Sequence, residues 1–378
     1  MQEFECIATT SFGLEAVCKR ELIDLGYKIK KTENGKITFL TDKAGIARAN
    51  MWLRSADRVL LKMDEFKVLT FAQLFDKINQ IDWHKVIDKD GKFTVLAKSV
   101  KSKLFSLSDV QSITKKAIVE EMKTHYNTQW FDEKGALFTV LVSILKDKAT
   151  VTIDTSGDGL HKRGYRVQSV KAPLKETLAA SLVLLSFWQK DRVLYDPFCG
   201  SGTIPIEAAM IGLNIAPGLN RDFASKHWSW MGKSLWKEIS REAFKAIDQD
   251  TKLEIYASDL NEESLKAAQD NAFEAGVDEH IIFKRGDARK QAYNKPYGII
   301  ITNPPYGERL LSEQSINSLY KDIGKLYKSL DTFSIYLITS SKEFETLYGK
   351  TSNKRRKLYN GNIETWFYQY YGPRPQNG

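Results

Sequence analysis

The sequence predicts an α/β protein in which an open, Rossmann-like sheet fills the C-terminal half and a smaller α+β module precedes it. Three observations carry this. From about residue 170 strand-like and helix-like stretches alternate, as in "RVLYD", "IPIEAAMIGL", "LEIYAS" and "NEESLKAAQDNAFEAG", the pattern of a parallel sheet covered by helices. The first of these strands runs into a glycine-bearing turn, "DPFCGSGT", where open α/β sheets collect ligands. The first sixty-odd residues instead read β-α-β-β-α-β, the ferredoxin-like arrangement.

A chain of 378 residues exceeds the ~250–300 residues that one core usually serves, so two or three domains are expected. We place them at 1–65, 66–155 and 171–378, with a linker at 156–170. Composition is globular, 42% hydrophobic and 27% charged. No apolar run is long enough to span a membrane, and "MQEFECIATT" lacks the basic and apolar blocks of a secretory signal. Cys6, Cys18 and Cys199 are never spaced C-x-x-C, which favours the cytoplasm. Five histidines lie scattered, so no metal site is expected. The formal charge of +9, spread along the chain, suits a polyanionic partner such as nucleic acid.

Taken in order, "FECIATT" reads as a strand and "LEAVCKRELIDLGY" as a helix with Gly26 where a C-cap would sit. Asn34–Gly35 then separates two alternating runs, a strong hairpin signal. A helix at roughly 43–55 and the strand "RVLLKMDEF" complete the module. Between 66 and 155 the helices "FAQLFDKINQI" and "LSDVQSITKKAIVEEMKTHY", the latter capped by Ser108 or Asp109, mix with the strands "KFTVLAKSV", "ALFTVLVSIL" and "KATVTID". Lys98, Lys101 and Lys103 gather in "KSVKSKLFSLSD", either a solvated loop or one that touches phosphates. "DTSGDGLHKRGYR" reads as a turn-rich linker that also carries contacts, with Lys162 and Arg163 as candidates. About forty residues between the helix at 204–212 and the next strand form an insertion holding Trp228, Trp230 and Trp236, which either packs or also lids the site.

The C-terminal strands end on a consistent set. The first closes on Asp196, then Gly200 and Gly202, whose lack of a side chain lets backbone approach a ligand. No G-x-x-x-x-G-K-[ST] is present, so a P-loop is excluded, and no full G-x-G-x-x-G follows the strand. "ASDLN" puts Asp259 where a carboxylate can take both hydroxyls of a ribose. "RGDARK" offers Asp287 as an acceptor for an adenine amino group. The fourth strand breaks into "TNPPY". Each acid read singly is a helix cap; four such ends in succession point to a nucleoside-bearing cofactor.

These motifs resemble class I S-adenosylmethionine-dependent methyltransferases. "NPPY" is similar to the family's [DNS]-P-P-[YFW] motif for transfer to the amino nitrogen of a base. More narrowly, "HKRGYR", "APLKETLAA", "LNIAPGLNR" and "KLYNGNIE" resemble bacterial RNA methyltransferases with a THUMP domain, similar to the 23S rRNA guanine-N2 methyltransferase. The resemblance covers nearly the whole chain. It implies an S-adenosyl-L-methionine cofactor, an RNA partner and a THUMP domain at 66–155. Asp196, Pro197, Gly200 and Gly202 would line its methionine part, with Pro173 and Leu174 near the tail. Asp259 with Leu260 would hold the ribose, Asp287 with Ala288 would face the adenine, and Asn303 would complete the pocket.

The tetrad fits the chemistry. An exocyclic amine is a poor nucleophile because its lone pair is delocalised into the ring. Acceptors for both of its protons, the Asn303 side-chain oxygen and the Pro304 carbonyl, would favour a pyramidal nitrogen, while Tyr306 would stack on the flipped base. Arg309 would meet an RNA phosphate or pair with Glu308. The reading that follows is guanine-N2 methylation of 23S rRNA. Alternatives are a tRNA guanine, a DNA adenine N6, or a non-catalytic RNA-binding assembly factor.

Overall fold

The computed structural model describes residues 3–168, 173–306 and 312–375. They form two compact units, and the chain passes between them more than once. The first holds Met1–Thr9, Lys19–Leu160 and Asp222–Glu242; the second holds Thr10–Cys18, His161–Arg221 and Ala243–Gly378.

From the N-terminus the elements run β1 (Phe4–Thr10), α1 (Glu15–Asp24), β2 (Lys28–Glu33), β3 (Lys36–Thr41), α2 (Lys43–Trp52) and β4 (Ala56–Lys67), the order expected, and apart from Thr10 and the first turn of α1 they belong to the first unit. Gly26 closes α1 at φ +86, its amide donating to the Ile23 carbonyl at 2.9 Å, and Gly35 turns the β2–β3 hairpin at φ +71. Asp42 caps α2 by accepting from the Gly45 amide at 2.8 Å.

Strand β4 is twelve residues long, runs past residue 65, and from Leu60 onward pairs with a strand of the following segment. That segment contributes α3 (Phe71–Asn79), β5 (Lys92–Val100), α4 (Leu107–Tyr126), β6 (Leu137–Leu145) and β7 (Lys148–Asp154). The outcome is one seven-stranded sheet in the order β2-β3-β1-β4-β7-β6-β5. Helix α4 begins at Leu107, so its N-cap is Ser106 rather than Ser108 or Asp109. Asp109 falls in the first turn, where a carboxylate suits the helix dipole.

The insertion between 213 and 252 splits in two. Its residues 222–242 belong to the first unit, where Trp228 is buried, stacks on Phe138 at 4.8 Å and donates through Nε1 to the Leu137 carbonyl at 3.2 Å. Trp230 donates to the Val86 carbonyl at 3.0 Å. These tryptophans complete the first unit's packing.

The second unit contains α5 (Glu176–Leu185), β8 (Leu194–Asp196), α6 (Thr203–Gly212), the end of α7 (Lys233–Lys245), β9 (Ile255–Asp259), α8 (Glu262–Glu274), β10 (Ile281–Arg285), β11 (Ile299–Thr302), α9 (Glu313–Lys328), β12 (Ser334–Thr339), α10 (Phe344–Tyr348), β13 (Lys354–Asn360) and β14 (Ile363–Tyr370). Its sheet runs β10-β9-β8-β11-β12-β14-β13. Strands β8 to β12 pair in parallel, while β14 is antiparallel to both neighbours. The expected parallel sheet carries an antiparallel hairpin at this edge, because only Gly361, at φ +62, and Asn362 join β13 to β14, too short for the crossover that a parallel pair needs.

Burial on both faces explains the apolar run in β11. Ile299 and Ile301 enter one core with Leu178, Ala209 and Tyr336; Ile300 enters the other with Tyr195, Ile323 and Tyr327. Leu14 and Val17 also belong to the first of these cores, which is why Thr10–Cys18 counts with the second unit.

Candidate active site at the strand ends

The chain winds from β8 outward to β9 and β10, then returns to the other side of β8 with β11 and β12. The strand order therefore reverses between β8 and β11, the crevice where open α/β sheets bind ligands. Four hydrogen bonds tie the ends of the four strands together there. Thr302 donates from Oγ1 to Asp196 Oδ1 at 2.7 Å, the Cys199 amide donates to the Ser258 carbonyl at 2.9 Å, the Gly200 amide to Asp259 Oδ2 at 3.0 Å, and the Gly286 amide to the Asp259 carbonyl at 3.1 Å.

Asp196 is buried and its carboxyl is pushed up to about 7, chiefly by burial, with nearby Asp259 adding to the rise. The hydrogen bonds from Thr302 and the Phe198 amide only partly offset this. Gly200 and Gly202 adopt φ +54 and +83. Nothing lies within 4 Å of a Cβ placed on Gly200, so the backbone there is open to a ligand; a Cβ on Gly202 would meet Ala268 Cβ at 3.0 Å. The two glycines differ in purpose: one leaves room, the other lets α6 and α8 approach.

Asp259 is partly exposed and fixes its own loop by accepting from the Asn261 amide at 2.9 Å. Leu260 is exposed, while Pro197, Leu174 and Ala288 are buried and Pro173 is partly covered. Asp287 is committed: Arg289 donates to both of its oxygens, through Nε at 2.9 and 3.0 Å and through a terminal nitrogen at 2.6 Å. The guanidinium holds that carboxyl below its usual range.

At the fourth end, Asn303 Oδ1 is buried and has no hydrogen-bond partner among the described residues. A buried acceptor left unmade costs about 1–3 kcal/mol, so it marks a place where a donor fits. Pro304 is buried and Tyr306 is partly covered, its hydroxyl raised above the usual range by burial.

Two groups that sequence reasoning missed hold this machinery. Tyr320, wholly buried on α9, donates to the Pro305 carbonyl at 3.0 Å and accepts from Thr339 at 2.8 Å. Arg166 reaches Glu176 at 2.7 Å, Ser201 and Thr203 at 3.0 Å, and the Leu174 carbonyl at 3.1 Å. It thereby ties the segment after residue 173 to the glycine turn. Only the basic residue in "HKRGYR" hinted at it.

Among the expected RNA contacts, Lys98, Lys101, Lys103 and Lys162 are exposed. Arg163 must be corrected. It is 3% exposed, with its guanidinium on Glu207 at 3.3 Å, and so offers no face to a phosphate. Arg309 and Glu308 lie outside the described residues. Among the described residues, one group of potential metal ligands lies close together, Asp82, His84 and Glu121. Asp82 pairs with Lys85, and His84 meets Glu121 within the group, each at 2.5 Å.

The description of RMKL-like methyltransferase domains matches residues 163–369. The chain belongs to the RMKL-like methyltransferase family. Ahead of that domain, the RlmL ferredoxin-like domain matches residues 5–60 and the THUMP domain residues 69–154. Across this RMKL-like chain the similarity is continuous. YpsC of Bacillus subtilis, which carries the name of an RNA methyltransferase, is 48% identical over 100% of this chain and 98% of its own length. A Listeria monocytogenes protein described as a predicted N6-adenine-specific DNA methylase is 48% identical, with a TM-score of 0.94 over 99% of this chain and 97% of its own. SMU.472, solved in complex with SAH, is 41% identical, with a TM-score of 0.94 over 100% of both chains. No helix among the described residues is long and apolar enough to cross a membrane.

Proposed function

We propose that this RMKL-like methyltransferase acts on RNA, transferring a methyl group from S-adenosylmethionine to the exocyclic N2 amine of a guanine, in 23S rRNA. The observation that carries the reading is the buried Asn303 Oδ1 at the end of β11, which has no partner among the described residues. The RNA methyltransferase name of YpsC, the SAH complex of SMU.472 and the +9 charge of this chain support the choice of substrate and donor.

S-adenosylmethionine supplies an electrophilic methyl group when bound. Asp196, Pro197, Gly200 and Gly202 would hold its methionine part, with Pro173 and Leu174 at the tail, Asp259 and Leu260 at the ribose, and Ala288 at the adenine. Asp287 reaches the adenine only by giving up Arg289. Asn303 Oδ1 and the Pro304 carbonyl accept the two amine protons, so the nitrogen lone pair is released from the ring as charge develops. Tyr306 stacks on the base. Asn303 is a neutral acceptor, so the proton that leaves the methylated nitrogen passes to water. The three cysteines remain thiols, and we place the activity in the cytoplasm.

The test is incubation of purified protein with labelled S-adenosylmethionine and total RNA from a deletion strain, followed by nucleoside analysis. The expected product is N2-methylguanosine in 23S rRNA; label in tRNA alone would move the substrate, and no label in RNA would sink the reading. The description of the Listeria relative favours a second reading, DNA adenine N6. Sensitivity of the labelled product to ribonuclease or deoxyribonuclease separates the two. An Asn303→Ala variant that still complemented a deletion strain would favour a non-catalytic assembly role.

A further inference from the structure

We propose that two loops at one end of the first unit's sheet form a docking site for an unpaired stretch of RNA, with Phe105 as the stacking surface for a base. The inference rests on the RNA reading above. It concerns residues Val100–Leu107 and Leu145–Lys148, which lie where β5, β6 and β7 reach the same end of the sheet.

Phe105 is 81% exposed, and the apolar residues around it, Val100, Leu107 and Leu145, are also exposed. A soluble surface seldom presents a bare aromatic ring among aliphatic neighbours unless something covers it. The surrounding charge says what. Lys67, Lys98, Lys101, Lys103 and Lys146 are all exposed. Among the described residues none of these five ammonium groups is in an ion pair, whereas adjacent Lys148 is paired with Glu65. Unneutralised lysines around an apolar ring match a polyanion that carries flat faces, which is single-stranded nucleic acid. Duplex RNA keeps its bases stacked inside and would leave Phe105 unused.

The loops are built rather than loose. Lys101, Lys146 and Asp147 hold left-handed φ values of 51, 51 and 61, which L-residues adopt only when surrounding bonds enforce them. Those bonds are present. Asp147 Oδ1 accepts from the Lys103 amide at 2.7 Å, the Asp147 amide donates to Ser102 Oγ at 3.0 Å, the Lys146 amide donates to the Val100 carbonyl at 3.1 Å, and Ser99 Oγ donates to the Leu104 carbonyl at 2.6 Å. The one acid in the second loop is thus turned onto backbone, leaving the lysines outward. A fixed loop gives up little conformational freedom on binding.

The test uses the full-length protein and two fluorescein-labelled RNAs, a single-stranded polyuridine dodecamer and a blunt duplex of equal length, with affinity read by anisotropy over a salt series. Phe105→Ala should weaken single-strand binding about tenfold while leaving duplex binding unchanged. Lys101→Ala/Lys103→Ala/Lys146→Ala should weaken both RNAs and flatten the salt dependence by about two to three counterions. An unchanged melting temperature controls for folding, and Phe105→Trp should retain binding. Wild-type single-strand affinity in Phe105→Ala overturns the proposal, as does an equal loss for both RNAs. So does a Phe105→Ala variant altered only in self-association, which would mean a protein covers the ring. Failure here with intact methyl transfer to RNA leaves the function standing; absence of transfer by the wild type removes the function itself.

Discussion

The hydroxyl of Tyr320 donates to the carbonyl of Pro305 at 3.0 Å, inside the turn that carries Asn303 and Tyr306. The Pro305 carbonyl, which can only accept, fixes the polarity along this chain of bonds: Tyr320 gives its single proton to Pro305 and so accepts from Thr339, whose oxygen in turn accepts from the Ser341 amide. Tyr320→Phe removes the last link without changing shape. We expect kcat to fall about tenfold to a hundredfold, with little change in KM for the methyl donor, because the acceptors lose their alignment. Thr339→Val keeps the Tyr320 donor and should cost far less. Steady-state kinetics of both variants decides it.

Asn303→Ala removes the proposed amine acceptor, and kcat should drop about 10²–10³-fold. Asn303→Asp keeps an oxygen in place and should retain more activity than alanine. Single-turnover rates at saturating donor distinguish a loss of chemistry from a loss of binding.

Asp196 gives a pH signature. Burial raises its folded pKa to about 7, so the free protein holds that proton through the mildly acidic range, where the unfolded chain has already lost it. This group's contribution to stability therefore declines as pH rises from the ordinary carboxylate range to about 7, then stays level. Donor binding runs the other way. The donor's ammonium prefers a carboxylate, so affinity should rise with pH up to about 7 and then flatten. Titration calorimetry with S-adenosylhomocysteine across this range tests it, and Asp196→Asn should show no such slope.

Two glycine substitutions should separate conformation from contact. Gly200→Ala meets no atom but must hold φ +54, costing about 1–2 kcal/mol. Gly202→Ala carries φ +83 and also drives a methyl group against Ala268, for about 2–4 kcal/mol. Urea unfolding of both variants should rank them in that order.

Arg163→Ala leaves the buried Glu207 carboxylate without its cation, holding only the Tyr165 hydroxyl at 3.1 Å, and should cost about 3–5 kcal/mol of stability. Replacing Lys103 should leave stability nearly unchanged. Chemical denaturation of the pair checks the contrast, and an Arg163 variant of undiminished stability would contradict the burial argument.

Much of this was legible in the sequence because it depends on neighbours in the chain. Asn34–Gly35 announces its hairpin, Gly26 its helix end, and "TNPPY" its strand end, since prolines and glycines restrict the backbone wherever they stand. Features that depend on distant partners were hidden. Arg163 and Arg166 look alike in "HKRGYR", and only the buried Glu207 and the glycine turn give them separate tasks. Tyr320 has the spacing of any core tyrosine on α9. The pairing of β4 with β7, which joins the two segments into one sheet across residue 65, leaves no mark in either strand. Trp228 and Trp230 stand in an insertion whose sequence left packing and lidding both open; in the fold Trp228 is buried against Phe138 and the partly buried Trp230 bonds to the Val86 carbonyl.

The crossing of segments between the units has a consequence for synthesis. A ribosome delivers this chain from the N-terminus at about 5–20 residues per second, and domains ordinarily fold as they emerge. The first unit cannot close its core until Asp222–Glu242 has been made, after the glycine turn of the second unit is already out. Thr10–Cys18, one of the earliest stretches to appear, must wait for strands near the far end of the chain. Neither unit can be finished, expressed or excised without part of the other's stretch of message.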